Sequence, residues 1–431
     1  LKPQSARLLV GSIRAKYPDL PIHVHSHDTA GIAVASMLAC AEAGADVIDA
    51  AIDSMSGLTS QPSMGAIVSS LEQMELGTGI SHDSIQRLNL YWSEVRQLYQ
   101  CFEQNVKASD SSVFDHEMPG GQYTNLMFQS QQLGLGSQWS EIKHAYMEAN
   151  MLCGDIVKVT PSSKVVGDLA QFMVANKLSA RDVEEHASTL DFPVSVVEFF
   201  QGFLGTPPGG FPEPLRTHII RNKERVDTRR GASLPPLDFD KIKSDLTVKY
   251  RRPMSECDAV SWAMYPKVFE EFQAFIEEFG DLSRMPTRFF LGKPKAGEEM
   301  HIPIEDGKLL IVKLLGLGPF HEATGMRDVL FELNSSPRSI SVKDLSASVE
   351  EVHHEKATSE PGSVGSPLAG VVVELKVKEG DAVKPGDAMF VMSAMKMETI
   401  VSAQIAGKVT RVAVKQNDSL SQNDLLCEIT P

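Results

Sequence analysis

The chain has 431 residues, enough for several domains and a large core, and its 42% hydrophobic and 23% charged residues are an ordinary globular balance. A formal net charge of −15 leaves no basic excess to release counterions, which argues against a nucleic-acid or anionic-membrane partner; no apolar run reaches the roughly 20 residues needed to cross a bilayer. The five cysteines (Cys40, Cys101, Cys153, Cys257, Cys427) are odd in number, far apart and without a CxxC pair, a pattern of a reducing compartment and not of a disulfide framework or cysteine metal site.

The first residues already read as an amphipathic helix over 6–17, with Leu8, Leu9, Val10 and Ile13, and neither an initiator Met nor a signal peptide precedes it, so the sequence is expected to be a piece of something longer. A short strand over 21–25 follows, then a helix over 32–43 ending at Gly44, an apolar strand over 45–52 and a helix from Met64 to Leu71. Short apolar strands alternating with helices predict parallel β/α units. Only two such units fit in residues 1–75, too few to close a barrel or cover both faces of a sheet, so the missing units are expected upstream.

Residues 76–285 read as mostly helical, with breaks at Met118-Pro119-Gly120-Gly121 and Thr206-Pro207-Pro208-Gly209-Gly210. Residues 286–347 read as β-rich, with strands predicted at 288–291, 309–314 and 328–333. A polar stretch from Ser348, with too few apolar residues to pack, predicts a flexible linker over 348–362.

The remainder, 363–431, holds an internal repeat. Gly370 recurs as Gly407, Val372 as Val409, Val377-Lys378 as Val414-Lys415, Asp381 as Asp418, Asp387 as Asp424 and Met392 as Ile429, every pair 37 residues apart. Short strands repeated once predict a two-fold sandwich of two small sheets. The halves join at a hairpin that carries Ala394-Met395-Lys396-Met397. Lys396 is either an ordinary surface lysine or one pushed clear of the body so that its amine can be acylated.

Three other segments invite chemistry. In His23-Val24-His25-Ser26-His27-Asp28, histidines two apart on a strand face one side, as metal ligands or as plain core or surface residues. In Val159-Thr160-Pro161-Ser162-Ser163-Lys164-Val165-Val166-Gly167-Asp168, Thr160 is placed as a helix N-cap with Pro161 at the first helical position, and a helix N-terminus also offers donors to a carboxylate. Pro119-Gly120-Gly121-Gln122 is a surface turn or a loop that lets backbone approach a ligand closely.

The Ala-Met-Lys-Met tetrapeptide resembles the attachment signature of the biotinyl/lipoyl carrier family, whose flanking methionines mark biotin acceptors. The resemblance makes Lys396 a biotinyl-lysine, modified by a biotin protein ligase. His25-Ser26-His27-Asp28 resembles the metal-dependent aldolase-like lyases and carboxyltransferases, all (β/α)8 barrels, and implies that His25 and His27 hold a divalent metal (Mn, Zn, Mg or Co), with His23 one pair too early. Taken with Asp53–Ser63 and Gly209–Pro214, these segments are similar to the C-terminal portion of the pyruvate carboxylase family. That similarity implies a multidomain α/β, α and β chain: the end of a (β/α)8 TIM barrel (1–75), its helical extension (76–285), a tetramerisation and effector-linked region (286–347), a linker (348–362) and a flattened β-barrel biotin carrier (363–431).

The same resemblance implies biotin-dependent carboxylation of pyruvate to oxaloacetate. ATP and bicarbonate would be used by a domain upstream of Leu1, together with two further metal ligands and a pyruvate-binding Arg. It gives Thr160 the role of moving a proton between pyruvate and biotin, and Ser163, Lys164 and Gln122 the biotin pocket. It also implies a homotetramer, acetyl-CoA as effector, and a mitochondrial matrix location in an animal or a cytoplasmic one otherwise. The alternatives are an oxaloacetate decarboxylase α or transcarboxylase-type subunit, against which the β-rich segment and the short acidic linker argue, or a biotin-carrying scaffold with no catalysis of its own.

Overall fold

Strand β1 (His23–Val24) lies parallel to β2 (Val47–Ile48), with His23 opposite Val47 and Val24 opposite Ile48. Helices α1 (Pro3–Lys16), α2 (Ala33–Glu42), α3 (Met64–Ser70) and α4 (His82–Leu98) surround this pair in sequence. Helix α1 turns Ala6 and Val10 into a small core with Ile22 and Cys40, while Leu8 and Leu9 face outward. At 3.6 residues per turn, positions 6, 10 and 13 share one face and 8 and 9 lie on the other.

This computed structural model describes residues 1–104, 106–321, 325–344, 354–358, 360, 362–394 and 397–431. It divides into two units, Leu1–Ala232 with His353–Pro431, and Ser233–Val352. The stretch 76–285, expected to be one helical extension, is therefore shared between both. Among the described residues no helix is long and apolar enough to cross a membrane.

In the first unit, α5 (Val113–His116), α6 (Gly120–Gln132), α7 (Trp139–Leu152), α8 (Ser162–Ala175), α9 (Ala180–His186), α10 (Val194–Gln201) and α11 (Leu215–Ile220) follow α4. Their shared core contains the fully buried Leu126, Ile142, Tyr146, Leu169, Met173 and Phe200. Local caps start several helices: Ser63 and Ser81 accept from backbone N–H groups of α3 and α4, and Ser179 with Asp182 forms a capping box on α9. Thr160 does not cap α8. Pro161 precedes that helix, and the hydroxyl of Ser162 donates to the Val157 carbonyl at 2.7 Å, folding the approach back on itself.

After the short α12 (Arg230–Ser233), the second unit packs α13 (Phe239–Tyr250), α14 (Glu256–Met264) and α15 (Pro266–Phe279) around Leu246, Met254 and Phe269. Residues 288–291, expected as a strand, lie instead in helix α16 (Thr287–Leu291). The β propensity of Phe289 and Phe290 needs a neighbouring strand to act through, and that sheet's edge belongs to β3. An antiparallel meander, β3 (Glu299–Glu305), β4 (Lys308–His321), β5 (Met326–Leu333) and β6 (Ser336–Lys343), forms the sheet in chain order. Its last hairpin turns through Asn334 and Ser335, both at positive φ (47° and 65°), the pair of left-handed residues that a two-residue turn requires.

Strands β7 (Ser363–Gly365), β8 (Gly370–Leu375), β9 (Ala382–Val383), β10 (Ala388–Ala394), β11 (Met397–Ser402), β12 (Gly407–Val412), β13 (Ser419–Leu420) and β14 (Leu425–Thr430) build the C-terminal sandwich. One sheet runs β11-β10-β8-β13 and the other β7-β14-β12-β9, so each strand has its counterpart 37 residues away. Even the turns repeat: Asp381 accepts from Lys378 N at 2.8 Å and Asp418 from Lys415 N at 2.7 Å. Val372, Met392, Val409 and Leu426 are wholly buried between the sheets. Part of the expected linker also packs here. The nitrogen of Ala357 donates to Asn423 O, and Lys356 pairs with Oδ1 of the buried Asp424 at 2.7 Å, while Oδ2 accepts from Ser421 N at 2.6 Å, so both oxygens of the buried carboxylate are partnered.

Candidate functional site

The parallel register of β1 and β2 carries His25 to a place opposite Asp49, just past both strand ends. One carboxylate joins two imidazoles there: Asp49 Oδ1 meets His23 Nε2 and Oδ2 meets His25 Nδ1, each at 2.7 Å. These bonds hold the Asp49 carboxyl below the usual carboxylate range. His27 is fixed in the same manner by Thr59 O at 2.6 Å from its Nδ1. With Nδ1 engaged on both His25 and His27, Nε2 is the nitrogen each ring keeps for a metal, and the rings meet edge to face at 5.3 Å. A carboxylate or carbonyl behind a ligating imidazole fixes its tautomer and raises its basicity, so the donor set fits a divalent cation. Among the described residues no cluster of three or more His, Cys, Asp or Glu is arranged to hold one. Asp28 serves the fold instead, accepting from Ala33 N at the start of α2. His23 shares Asp49 and is not itself placed beside His27.

His25 and His27 line a cavity of about 560 Å³ together with Glu117, Met118 and Gly120. The expected Gly-Gly loop is the first turn of α6, entered through the extended backbone of Pro119. Gly120 packs directly on the His27 ring. Glu117 binds Lys158 at 2.8 Å, which ties the segment leading to Thr160 to the cavity wall. Thr160 is exposed, and Ser163 is buried in the first turn of α8.

Gln122 crosses from α6 to α8. A Cβ on Gly167 would come within 2.5 Å of its Nε2, so the glycine makes room for the amide. On the same helix Lys164 reaches Asp168, which is buried, and Asp168 Oδ2 also accepts from Ser195 Oγ at 2.5 Å. Burial raises the Asp168 carboxyl above the usual range against the pull of Lys164. Asp49 and Ser195 escape a reading of motifs, and Asp168 closes the Val159–Asp168 segment without that reading giving it a role. The available signals were a carboxylate inside the apolar stretch expected as a strand over 45–52, and a lone Asp inside the apolar run of α8.

Lys396 itself lies outside the described residues. The strands flanking it pair, with Val391 opposite Ile400 and Ala394 opposite Met397. The sandwich rests on the helices through the outer strand of that hairpin. Thr399 and Pro193 form an antiparallel bridge, Ser402 N donates to Asp191 Oδ2 at 3.2 Å, and Gln422 Nε2 donates to Ala175 O at 2.7 Å. Burial pushes the Asp191 carboxyl up to about 6, although Ser402 N, Arg221 and Lys223 favour its anion.

Three families match in series: HMGL-like over residues 1–90, the conserved carboxylase domain over 113–313, and biotin-requiring enzyme over 362–429. A pyruvate carboxylase of Aspergillus terreus is 55% identical over 100% of this chain and 36% of its own length. The mitochondrial pyruvate carboxylase of Mus musculus is 48% identical over 100% of this chain and 37% of its own. The carboxyl transferase domain of Rhizobium etli pyruvate carboxylase, solved with pyruvate and biocytin, aligns with a TM-score of 0.73 at 41% identity, covering 80% of this chain and 58% of that one. The chain thus spans about a third of the length of the curated relatives it matches. Matched from end to end by such relatives, it belongs to the pyruvate carboxylase family and corresponds to the C-terminal part of its members.

Proposed function

We propose that this chain supplies the biotin carrier and part of the carboxyltransferase site of an enzyme that carboxylates pyruvate to oxaloacetate with ATP and bicarbonate. The observation that carries the reading is a two-sheet carrier whose paired strands flank Lys396, in one chain with the metal-ready pair His25 and His27. Residues 1–75 would complete a (β/α)8 barrel with units supplied from elsewhere in the protein, which would also bring the remaining metal ligands and the ATP-using domain. Residues 286–347 would serve tetramer formation and the acetyl-CoA response. The location would be mitochondrial in an animal and cytoplasmic otherwise.

Each residue then has a task. His25 and His27 hold the metal through Nε2, their other nitrogens fixed by Asp49 and Thr59. When bound, the metal would supply Lewis-acid polarisation of the substrate carbonyl, and biotin on Lys396 would supply carriage of the carboxyl group. Thr160 Oγ1 would receive the methyl proton of pyruvate while passing its own hydroxyl proton to biotin. A hydroxyl is a weak base in water, so this transfer needs a dry pocket and a matched acceptor. Ser163, Lys164 and Gln122 form the wall that receives biotin. The linker gives the carrier a high effective concentration at that wall.

Co-expression with a biotin protein ligase tests the carrier: avidin blotting and intact mass should show one biotin on the chain and none on Lys396→Arg. In the holoenzyme, Thr160→Ala should abolish ATP-dependent oxaloacetate formation while leaving biotinylation intact. Residues 1–431 alone should form no oxaloacetate from ATP, bicarbonate and pyruvate; measurable turnover would refute the division of labour proposed here.

A further inference from the structure

Asp168 is a buried carboxylate with one oxygen used twice. Lys164 and Ser195 both bind Oδ2, and Oδ1 has no hydrogen-bond partner. Such an arrangement is a poor way to stabilise a fold, because taking the charges out of water costs about as much as their attraction returns, and an apolar residue of similar volume does as well or better. What the carboxylate does provide is a fixed ammonium. The Asp168 side chain is 1% exposed and that of Lys164 is 40% exposed, so the anchor is inside the protein and the cation at its surface. Lys164 lies in the first turn of α8, the helix that Thr160 leads into, and Gln122 packs against the same helix at Gly167.

Ser195 links this anchor to the carrier. It lies in the first turn of α10, two residues after Pro193, which bridges Thr399 on the strand next to Lys396. The hydroxyl that fixes Asp168 and the backbone that receives the carrier strand thus belong to one short, rigid segment. We infer that Asp168 and Ser195 are positioning residues for Lys164, and that they set its ammonium to meet the ureido carbonyl of biotin when the carrier seats on Pro193. The inference rests on the reading of Lys164 as a biotin-pocket residue.

The test is equilibrium binding of biocytin to the holoenzyme in a Lys396→Arg background, where no tethered biotin competes. Asp168→Asn should weaken biocytin binding on the order of tenfold, the loss expected when a hydrogen bond to a charged group goes. Ser195→Ala should weaken it in the same direction by less, and it decides the matter if Asp168→Asn does not fold. The double variant Lys164→Gln/Asp168→Asn should bind no more weakly than Lys164→Gln, since both changes remove one interaction. If Lys164→Gln weakens binding and the Asp168→Asn loss multiplies on top of it, Asp168 acts on the fold and the inference fails while the pocket reading stands. If Lys164→Gln binds biocytin like the parent, the pocket reading fails first and takes the inference with it.

Discussion

Gly120 and His27 touch at a distance that admits no side chain: a Cβ built on Gly120 would lie 2.6 Å from Cγ of the imidazole. Its neighbour Gly121 faces open space, with nothing within 4 Å of such an atom. The two glycines therefore predict opposite outcomes. Gly120→Ala should push His27 off Thr59 and lower the metal affinity of the holoenzyme by about 10- to 100-fold, the usual effect of losing the support behind a ligand. Gly121→Ala should leave metal binding unchanged and gain a few tenths of a kcal/mol or more in stability, from a lower cost of ordering the helix. Metal content after dialysis against a graded metal buffer separates them.

Asp49 makes a second test of the same centre. It holds His23 and His25 at 2.7 Å each, so Asp49→Asn removes a charge from behind one ligand and leaves its tautomer free. Metal affinity should fall roughly 10- to 100-fold, whereas His23→Gln should cost much less, since the proposed site takes its ligands from His25 and His27. An equal loss in both variants, measured by metal titration of the holoenzyme, would instead make His23 part of the coordination set.

How much of this was legible in the sequence depends on the range of each interaction. The 37-residue repeat told of two sheets because each Gly, Val and Asp recurs at its structural counterpart, down to the Asp381 and Asp418 turns. Spacing put His23, His25 and His27 on one side of a strand, and only the family resemblance picked out His25 and His27. Asp49 could not be singled out, because its meeting with His25 depends on the parallel register of two strands. Thr160 read as an N-cap, yet Ser162 folds the preceding backbone and leaves Thr160 exposed. The strand expected at 288–291 failed for a related reason: propensity is local, and among the described residues no strand pairs with it. Lys356 and Ala357 looked like linker because their partners, Asp424 and Asn423, are near the other end of the domain.

The repeat carries its own prediction. Val372 and Val409 are both 0% exposed, 37 residues apart, one in each sheet. Each sits in an equivalent packed layer, so Val→Ala at either should cost a similar amount, about 2 kcal/mol from lost burial and the cavity left behind. Urea unfolding of the chain, followed by a probe in the sandwich, should give midpoints for the two variants that agree more closely with each other than with the parent. A cost at one position only would mean that the two halves share strand order but not packing.

The contact of the carrier with the helices should respond to pH through Asp191. This side chain is 13% exposed, and burial lifts its carboxyl from an ordinary value of 3.8 to about 6. A carboxyl whose pKa is raised in the folded state contributes its stabilisation fully below the unfolded pKa and loses it as pH climbs through the folded one. The hydrogen bond from Ser402 N persists in either state, but above pH 6 the folded protein must keep an anion in a place that resists charge, with Arg221 and Lys223 offsetting only part of the cost. The seated carrier should therefore loosen between about pH 4 and pH 6, the interval between the two pKa values, and change little above it. Asp191→Asn keeps an oxygen for Ser402 N and removes the titration. Amide exchange at Ser402, corrected for its intrinsic rate, should show protection that falls over this range in the parent and stays level in the variant. A level profile in both would show that Asp191 does not titrate at this contact.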